Sequence, residues 1–155
     1  MNSAAGNNAA QAKGRILVVD DDPNAVEILS RMLGREGYTC VSASSGASGL
    51  DALKSELVDV ILLDVMMPEM DGLEVCERLR ADEKLRRIPV ILLTAKDDME
   101  TRSRGMALGV SEYLTKPINR RELFTRIDAQ LHARAIDRQL SKTAEAVADP
   151  SKKSS

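Results

Sequence analysis

Residues 60–72 read Val60-Ile61-Leu62-Leu63-Asp64-Val65-Met66-Met67-Pro68-Glu69-Met70-Asp71-Gly72. Four large aliphatic residues run straight into a carboxylate, and a turn marked by Pro68 and Gly72 follows before a helical pattern resumes. An unbroken apolar run bounded in this way suits a strand buried on both faces, which is a strand of a parallel sheet. Three other runs have the same form: residues 16–19 end at Asp20-Asp21, residues 90–93 at Thr94, and residues 112–115 at Lys116. The carboxyl ends of the strands in an open α/β sheet face one crevice, so these residues are predicted to converge there. Carboxylates, a hydroxyl and an ammonium are the groups that phosphoryl transfer uses.

Outward from that stretch, apolar β-type runs alternate with amphipathic segments, the pattern of βαβ units. Strands are predicted at 15–20, 38–43, 58–64, 89–94 and 111–115, and helices at 23–36, 47–55, 73–81, 99–108 and from about 119. Pro23 suits a first helical turn, Gly37 a stop and Gly109 a left-handed cap. Asp22 reads as a helix cap before Pro23. Small and polar residues fill positions 1–13 and the last several positions, which predicts disordered ends. The expected organisation is an N-terminal tail at 1–13, one α/β domain at 14–134, and a helix extension with a C-terminal tail at 135–155.

A chain of 155 residues, 43% apolar and 30% charged, can bury a core as one domain. Its formal charge of -2 gives no general attraction to nucleic acid or anionic membrane, and neither is expected as a partner. No apolar run approaches the length that crosses a bilayer, no signal peptide is evident, and a cytoplasmic location is expected. Cys40 and Cys76 have neither metal nor disulfide spacing and read as reduced packing residues. His132 has no partner at metal spacing, and Arg120, Arg121, Arg126, Arg134 and Arg138 read as the solvated face of the last helix.

Asp20, Asp21 and Asp64 gathered at one edge would repel one another by about 4 kcal/mol per pair at 4 Å and an effective dielectric near 20. Such a cluster calls for a cation. Magnesium, or manganese in its place, suits an all-oxygen site, whereas the lack of His or thiolate argues against zinc. Asp64, at the middle strand, is the candidate nucleophile toward phosphorus, with Lys116 neutralising the phosphoryl oxygens and Thr94 donating a hydrogen bond.

The words ILVVDD at 16–21, LLDVMMPEMDG at 62–72, Leu93-Thr94-Ala95 and YLTKP at 113–117 resemble the response regulator receiver domain of two-component systems, the CheY-like family. The resemblance covers about 14–134 and is strongest to stand-alone receivers and to receivers that precede diguanylate cyclase domains. It implies a doubly wound, flavodoxin-like five-stranded parallel sheet of order 2-1-3-4-5. It also implies phosphorylation of Asp64 by a histidine kinase or phosphotransfer protein, with slow self-catalysed hydrolysis. Asp21 matches the direct metal ligand, Asp20 the acid that binds through water, and Met66 the residue whose backbone carbonyl completes the metal shell. Thr94 and Tyr113 match the switch pair, Lys116 the phosphate-binding lysine, and Lys116-Pro117 a cis bond. Met66 and Lys96 occupy the variable positions that set access of water to the acyl phosphate.

The implied output is a switched interaction with a downstream protein. Two other readings compete with it. A haloacid dehalogenase-type phosphatase would use Asp20 and Asp22, and a pseudo-receiver scaffold would bind without phosphorylation. The extended last helix, with Phe124, Ile127, Leu131, Ile136 and Leu140, leaves docking, a phosphorylation-linked homodimer or a frayed end as alternatives.

Overall fold

A computed structural model of the chain describes residues 13–95 and 97–148, and the side chains of 141–148 are outside the description. Of the tails expected at 1–13 and 135–155, residues 1–12 and 149–155 lie outside the described residues, as does the access position Lys96, while the Lys13 N–H donates to the Gly37 carbonyl. Five strands, β1 (Arg15–Val19), β2 (Thr39–Ala43), β3 (Val60–Asp64), β4 (Val90–Thr94) and β5 (Glu112–Thr115), alternate with five helices. These are α1 (Pro23–Arg35), α2 (Gly46–Ser55), α3 (Gly72–Ala81), α4 (Met99–Ala107) and α5 (Arg120–Ala148). All strand pairs are parallel and the sheet order is β2-β1-β3-β4-β5. The fold is therefore the doubly wound, flavodoxin-like arrangement.

Alternation along each strand sends successive side chains to opposite faces, so a run of aliphatics feeds two cores at once. Leu17, Val19, Ile61, Leu63 and Leu92 join Leu53 of α2 and Leu73, Val75, Cys76 and Leu79 of α3 on one face. Ile16, Val18, Val60, Leu62, Ile91 and Leu93 join Leu29 and Leu33 of α1 and Leu123 and Ile127 of α5 on the other. The free thiol of Cys76 is buried within the first of these layers.

Local signals end the elements where the chain must turn. The Asp22 carboxylate accepts from the Asn24 N–H at 3.0 Å and caps α1, and Pro23 fills its first turn. Gly37 and Gly109 take φ +97 and +83, the left-handed region a side chain would strain. Each strand is one or two residues shorter than predicted, although just outside β1 and β3 the Asp20 N–H still donates to the Ala43 carbonyl and the Asp59 N–H to the Arg15 carbonyl. The last helix is unbroken from Arg120 to Ala148, so the extension expected after 134 is a continuation of the same helix.

The arginines on α5 form a solvated face in the main, with Arg120, Arg121 and Arg138 exposed and Arg126 and Arg134 half-buried, and several of them also make surface pairs. Arg120 pairs with Glu36 at 2.5 Å, Arg126 with Glu112 at 3.4 Å, and Arg138 with Asp59 at 3.7 Å, while half-buried Arg134 donates to the Asp59 carbonyl. These pairs reach the end of α1, the residue before β3 and the start of β5, and at such exposure each contributes little. His132 and Arg121 are exposed.

Candidate functional site

Register decides which residues meet. Val19 lies beside Leu63, so Asp20, one step beyond β1, comes level with Asp64 at the end of β3. Asp64 lies beside Leu93 and Thr94 beside Thr115, which places Thr94 and Lys116 one strand and two strands further along the same edge. The Lys116 N–H donates to the Thr94 carbonyl at 2.8 Å and holds the lysine as the strand ends. The Lys116-Pro117 peptide is cis.

Carboxylate oxygens of Asp20, Asp21 and Asp64 all lie within 4.8 Å of one another. Asp20 and Asp64 are buried, at 1% and 3% exposure, whereas Asp21 is exposed. Lys116 Nζ stands 2.9 Å from Asp64 Oδ1 and 3.6 Å from Asp20 Oδ2. Asp20 Oδ1 is held by the backbone N–H of Asp22 at 2.9 Å, a contact that sequence did not signal, while Oδ2 has no hydrogen bond. Thr94 is likewise buried, with an unpartnered hydroxyl. The Asp20 Oδ2 has only the ion pair to Lys116 and the Thr94 hydroxyl has no hydrogen bond, and buried oxygens so placed are costly unless a ligand engages them.

The electrostatics agree. Burial raises the Asp64 carboxyl above its ordinary value; Lys116 opposes the shift by hydrogen bonding, and the charge of Asp20 adds to it. Burial alone would lower the Lys116 ammonium, yet its hydrogen bond to Asp64 and the charges of Asp64 and Asp20 hold it above its ordinary value. One ammonium faces three carboxylates, so the cluster is short of positive charge. An all-oxygen donor set with a spare buried oxygen fits a hard divalent cation. Asp22, which the phosphatase alternative requires, is instead committed to capping α1.

The loop after β3 is shaped to serve this edge. Met67 N–H and Gly72 N–H both donate to the Val65 carbonyl, at 3.1 and 3.0 Å, folding the loop back on the strand. Glu69 within it has φ 67. A Cβ at Gly72 would stand 2.7 Å from the Asp64 carbonyl oxygen, so only glycine lets α3 begin this close to the acid. Met66 projects outward at 72% exposure beside the cluster.

Tyr113 lies outward, 36% exposed, with the Arg102 guanidinium 4.6 Å from its ring centroid. Arg102 also donates to Thr115 Oγ1. Nothing in the sequence signals this arginine, because α4 and β5 meet only once the sheet forms.

The family model of the response regulator receiver domain matches residues 16–128. The chain belongs to this family. The receiver is 41% identical over 122 residues to the alkaline phosphatase synthesis transcriptional regulatory protein PhoP of Bacillus subtilis, covering 79% of this chain and 50% of that protein. It is 46% identical over 113 residues to the response regulator PleD of Caulobacter vibrioides, covering 73% of this chain and 25% of that protein. The chain thus spans half or less of the length of these relatives. Among solved structures, chemotaxis protein CheY4 of Vibrio cholerae matches with a TM-score of 0.73 at 30% identity, covering 77% of this chain and all of that one. A CheY-like receiver from Methanospirillum hungatei matches with a TM-score of 0.74 at 27% identity, over 80% and 98% of the two chains.

Receiver domains are switches of two-component signalling rather than classical enzymes; histidine kinases phosphorylate them, they bind magnesium through acidic residues, and they act on downstream targets. PhoP is a transcriptional regulatory protein by name, which runs against the expectation that nucleic acid plays no part, although that role belongs to a protein of which this chain matches half. Among the described residues no helix is long and apolar enough to cross a membrane.

Proposed function

We propose that the receiver takes a phosphoryl group on Asp64 from a sensor histidine kinase or phosphotransfer protein and thereby switches a surface that binds a downstream protein. The observation that carries this reading is the buried Asp64 carboxylate, 2.9 Å from Lys116 Nζ and flanked by Asp20 and Asp21. An Asp64 carboxylate oxygen attacks the phosphorus of the donor phosphohistidine. The P–N bond breaks, its electron pair returns to the imidazole, and an acyl phosphate remains. Hydrolysis by water later restores the carboxylate and releases inorganic phosphate.

Asp20, Asp21, Asp64 and the backbone carbonyl of Met66 are the residues assigned to hold magnesium or manganese. The ion, when bound, offsets negative charge on the phosphoryl oxygens. Lys116 pairs with the same oxygens, and the unpartnered Thr94 hydroxyl turns to donate to them. Movement of Thr94 frees room behind it for the Tyr113 ring, which leaves its place against Arg102 and turns inward.

The switch occupies 14–134 in this reading, with the part of α5 beyond 134 and the residues after it as an extension. A donor of this kind acts in the cytoplasm. Output passes through a protein, in the manner of a stand-alone receiver, and phosphorylation-linked pairing of two copies is a route by which the extension takes part. Intact-mass measurement after incubation with acetyl phosphate and Mg2+ tests the assignment. One added phosphoryl group is expected on the parent and none on Asp64→Asn; an unchanged gain in the variant overturns it.

A further inference from the structure

The end of the sheet opposite the acidic cluster carries a second concentration of charge. Residues 88–89, 109–111 and 59 lie just before β4, β5 and β3, so five-residue strands at roughly 3.3 Å per residue separate this floor from Asp64 by about 15 Å. Beyond residue 128, where the family match ends, α5 continues across this floor. The continuation closes one side of a cavity of about 260 Å³ lined by Arg86, Arg87, Ser111, Gln130, Arg134 and Asp137, among others.

Arginine donors dominate that cavity. Arg80, at its edge, is fully committed, donating to the Leu108 carbonyl at 2.9 Å, the Gly109 carbonyl at 2.7 Å and the Arg86 carbonyl. Arg134 is different. It is half-buried, burial holds its guanidinium below the ordinary value, and it donates one long bond of 3.4 Å to the Asp59 carbonyl. The Asp59 carboxylate is already engaged by the Arg15 N–H at 2.8 Å and by Arg138 at 3.7 Å. No carboxylate lies within 4.0 Å of Arg134 among the described residues, although Asp137 lines the same cavity. Arg86 and Arg87 are exposed, and among the described residues their side chains have no ion pair.

A guanidinium offers five donors in a fixed fork that matches phosphate oxygens two at a time. Three such forks around one small cavity, with a hydroxyl and an amide beside them and one carboxylate against them, form a receptor for a compact polyanion. We propose that the floor cavity around Arg86, Arg87 and Arg134 binds an oligophosphate group, that of a phosphate-bearing small molecule. A second and larger cavity of about 650 Å³ shares Ile88 and Arg134 with it; its lining mixes Leu53, Leu57 and Leu85 with Glu56, Asp59 and Asp82, so it would receive the body attached to such a group and not its phosphates. The site is separate from Lys116 and Thr94, and its residues on α5 lie outside the stretch the family shares.

Binding of inorganic tripolyphosphate to the full chain, measured by calorimetry and by amide chemical shifts in metal-free buffer, tests the proposal. Saturable binding is expected, weakening with added salt, with shifts centred on residues 86–87, 111, 130 and 134. Arg87→Ala, which alters an exposed side chain, should weaken it at least tenfold, and Arg134→Gln more so, while Asp64→Asn leaves it unchanged. Tighter binding of ADP than of tripolyphosphate would add the larger cavity to the site. The proposal is overturned by the absence of saturable binding, by affinity unchanged in Arg87→Ala, by shifts centred on Lys116 and Thr94, or by a glutamate decapeptide binding more tightly than tripolyphosphate.

Discussion

Lys116→Met removes an ammonium from the acidic cluster while keeping an unbranched side chain. At 2.9 Å from Asp64 and 3.6 Å from Asp20, the ammonium gains about 6 and about 5 kcal/mol of direct attraction at an effective dielectric near 20. Its side chain is 40% exposed, so solvent screens much of that, and desolvation of two carboxylates offsets more. Breaking a buried pair costs about 3–5 kcal/mol, and the partial exposure brings the expected loss to about 2–3 kcal/mol. Urea unfolding in EDTA measures it, and a melting point roughly 4–10 °C lower should accompany it. Magnesium must change the result. At a concentration one hundred times its dissociation constant, a ligand of the folded state alone adds about 2.7 kcal/mol, and in Lys116→Met no ammonium competes for the same oxygens. The gain from magnesium should therefore be larger in the variant than in the parent. A loss that is the same in EDTA and in magnesium, or smaller than about 0.5 kcal/mol in EDTA, would refute the view that Lys116 balances this cluster.

Gly72→Ala should destabilise by about 1–3 kcal/mol and impair phosphorylation, because its Cβ meets backbone at 2.7 and 2.9 Å, whereas Gly34→Ala, with nothing within 4 Å, should stabilise α1 by about 0.5–1 kcal/mol. Parallel urea titrations compare the two. Burial, then the hydrogen bond to Asp128, raises the Tyr38 phenol well above its ordinary value. The protonated phenol is the form the fold favours, so its contribution is complete below about pH 10 and is lost as pH rises beyond that. Stability measured from pH 9 to 11 should fall less steeply in Tyr38→Phe than in the parent. Met66→Asn should shorten the life of the acyl phosphate, since the exposed thioether at the mouth of the site is replaced by a smaller polar group; phosphate release over time measures it.

Residue order alone determined the alternation of strands and helices, because an aliphatic run covered on both faces and a helix with a capped start are written in neighbouring residues. Asp22, Pro23, Gly37, Gly72 and Gly109 each act within a few positions of themselves, and their places were legible for that reason. That Asp20, Asp21, Asp64, Thr94 and Lys116 end apolar runs was visible too, and a parallel sheet leaves such ends on one edge. The strand order came from the family resemblance, since nothing local in a strand names its neighbour. Only the tertiary structure decided that the Lys116 ammonium lies between Asp20 and Asp64 and that Arg102 covers Tyr113. It also supplied the partners of the largely solvated arginines on α5, which meet Glu36, Asp59 and Glu112 across the fold. Charge pairing acts through space over a few ångströms and carries no period along the chain, so its partners become known only when packing of the apolar faces has fixed the distances.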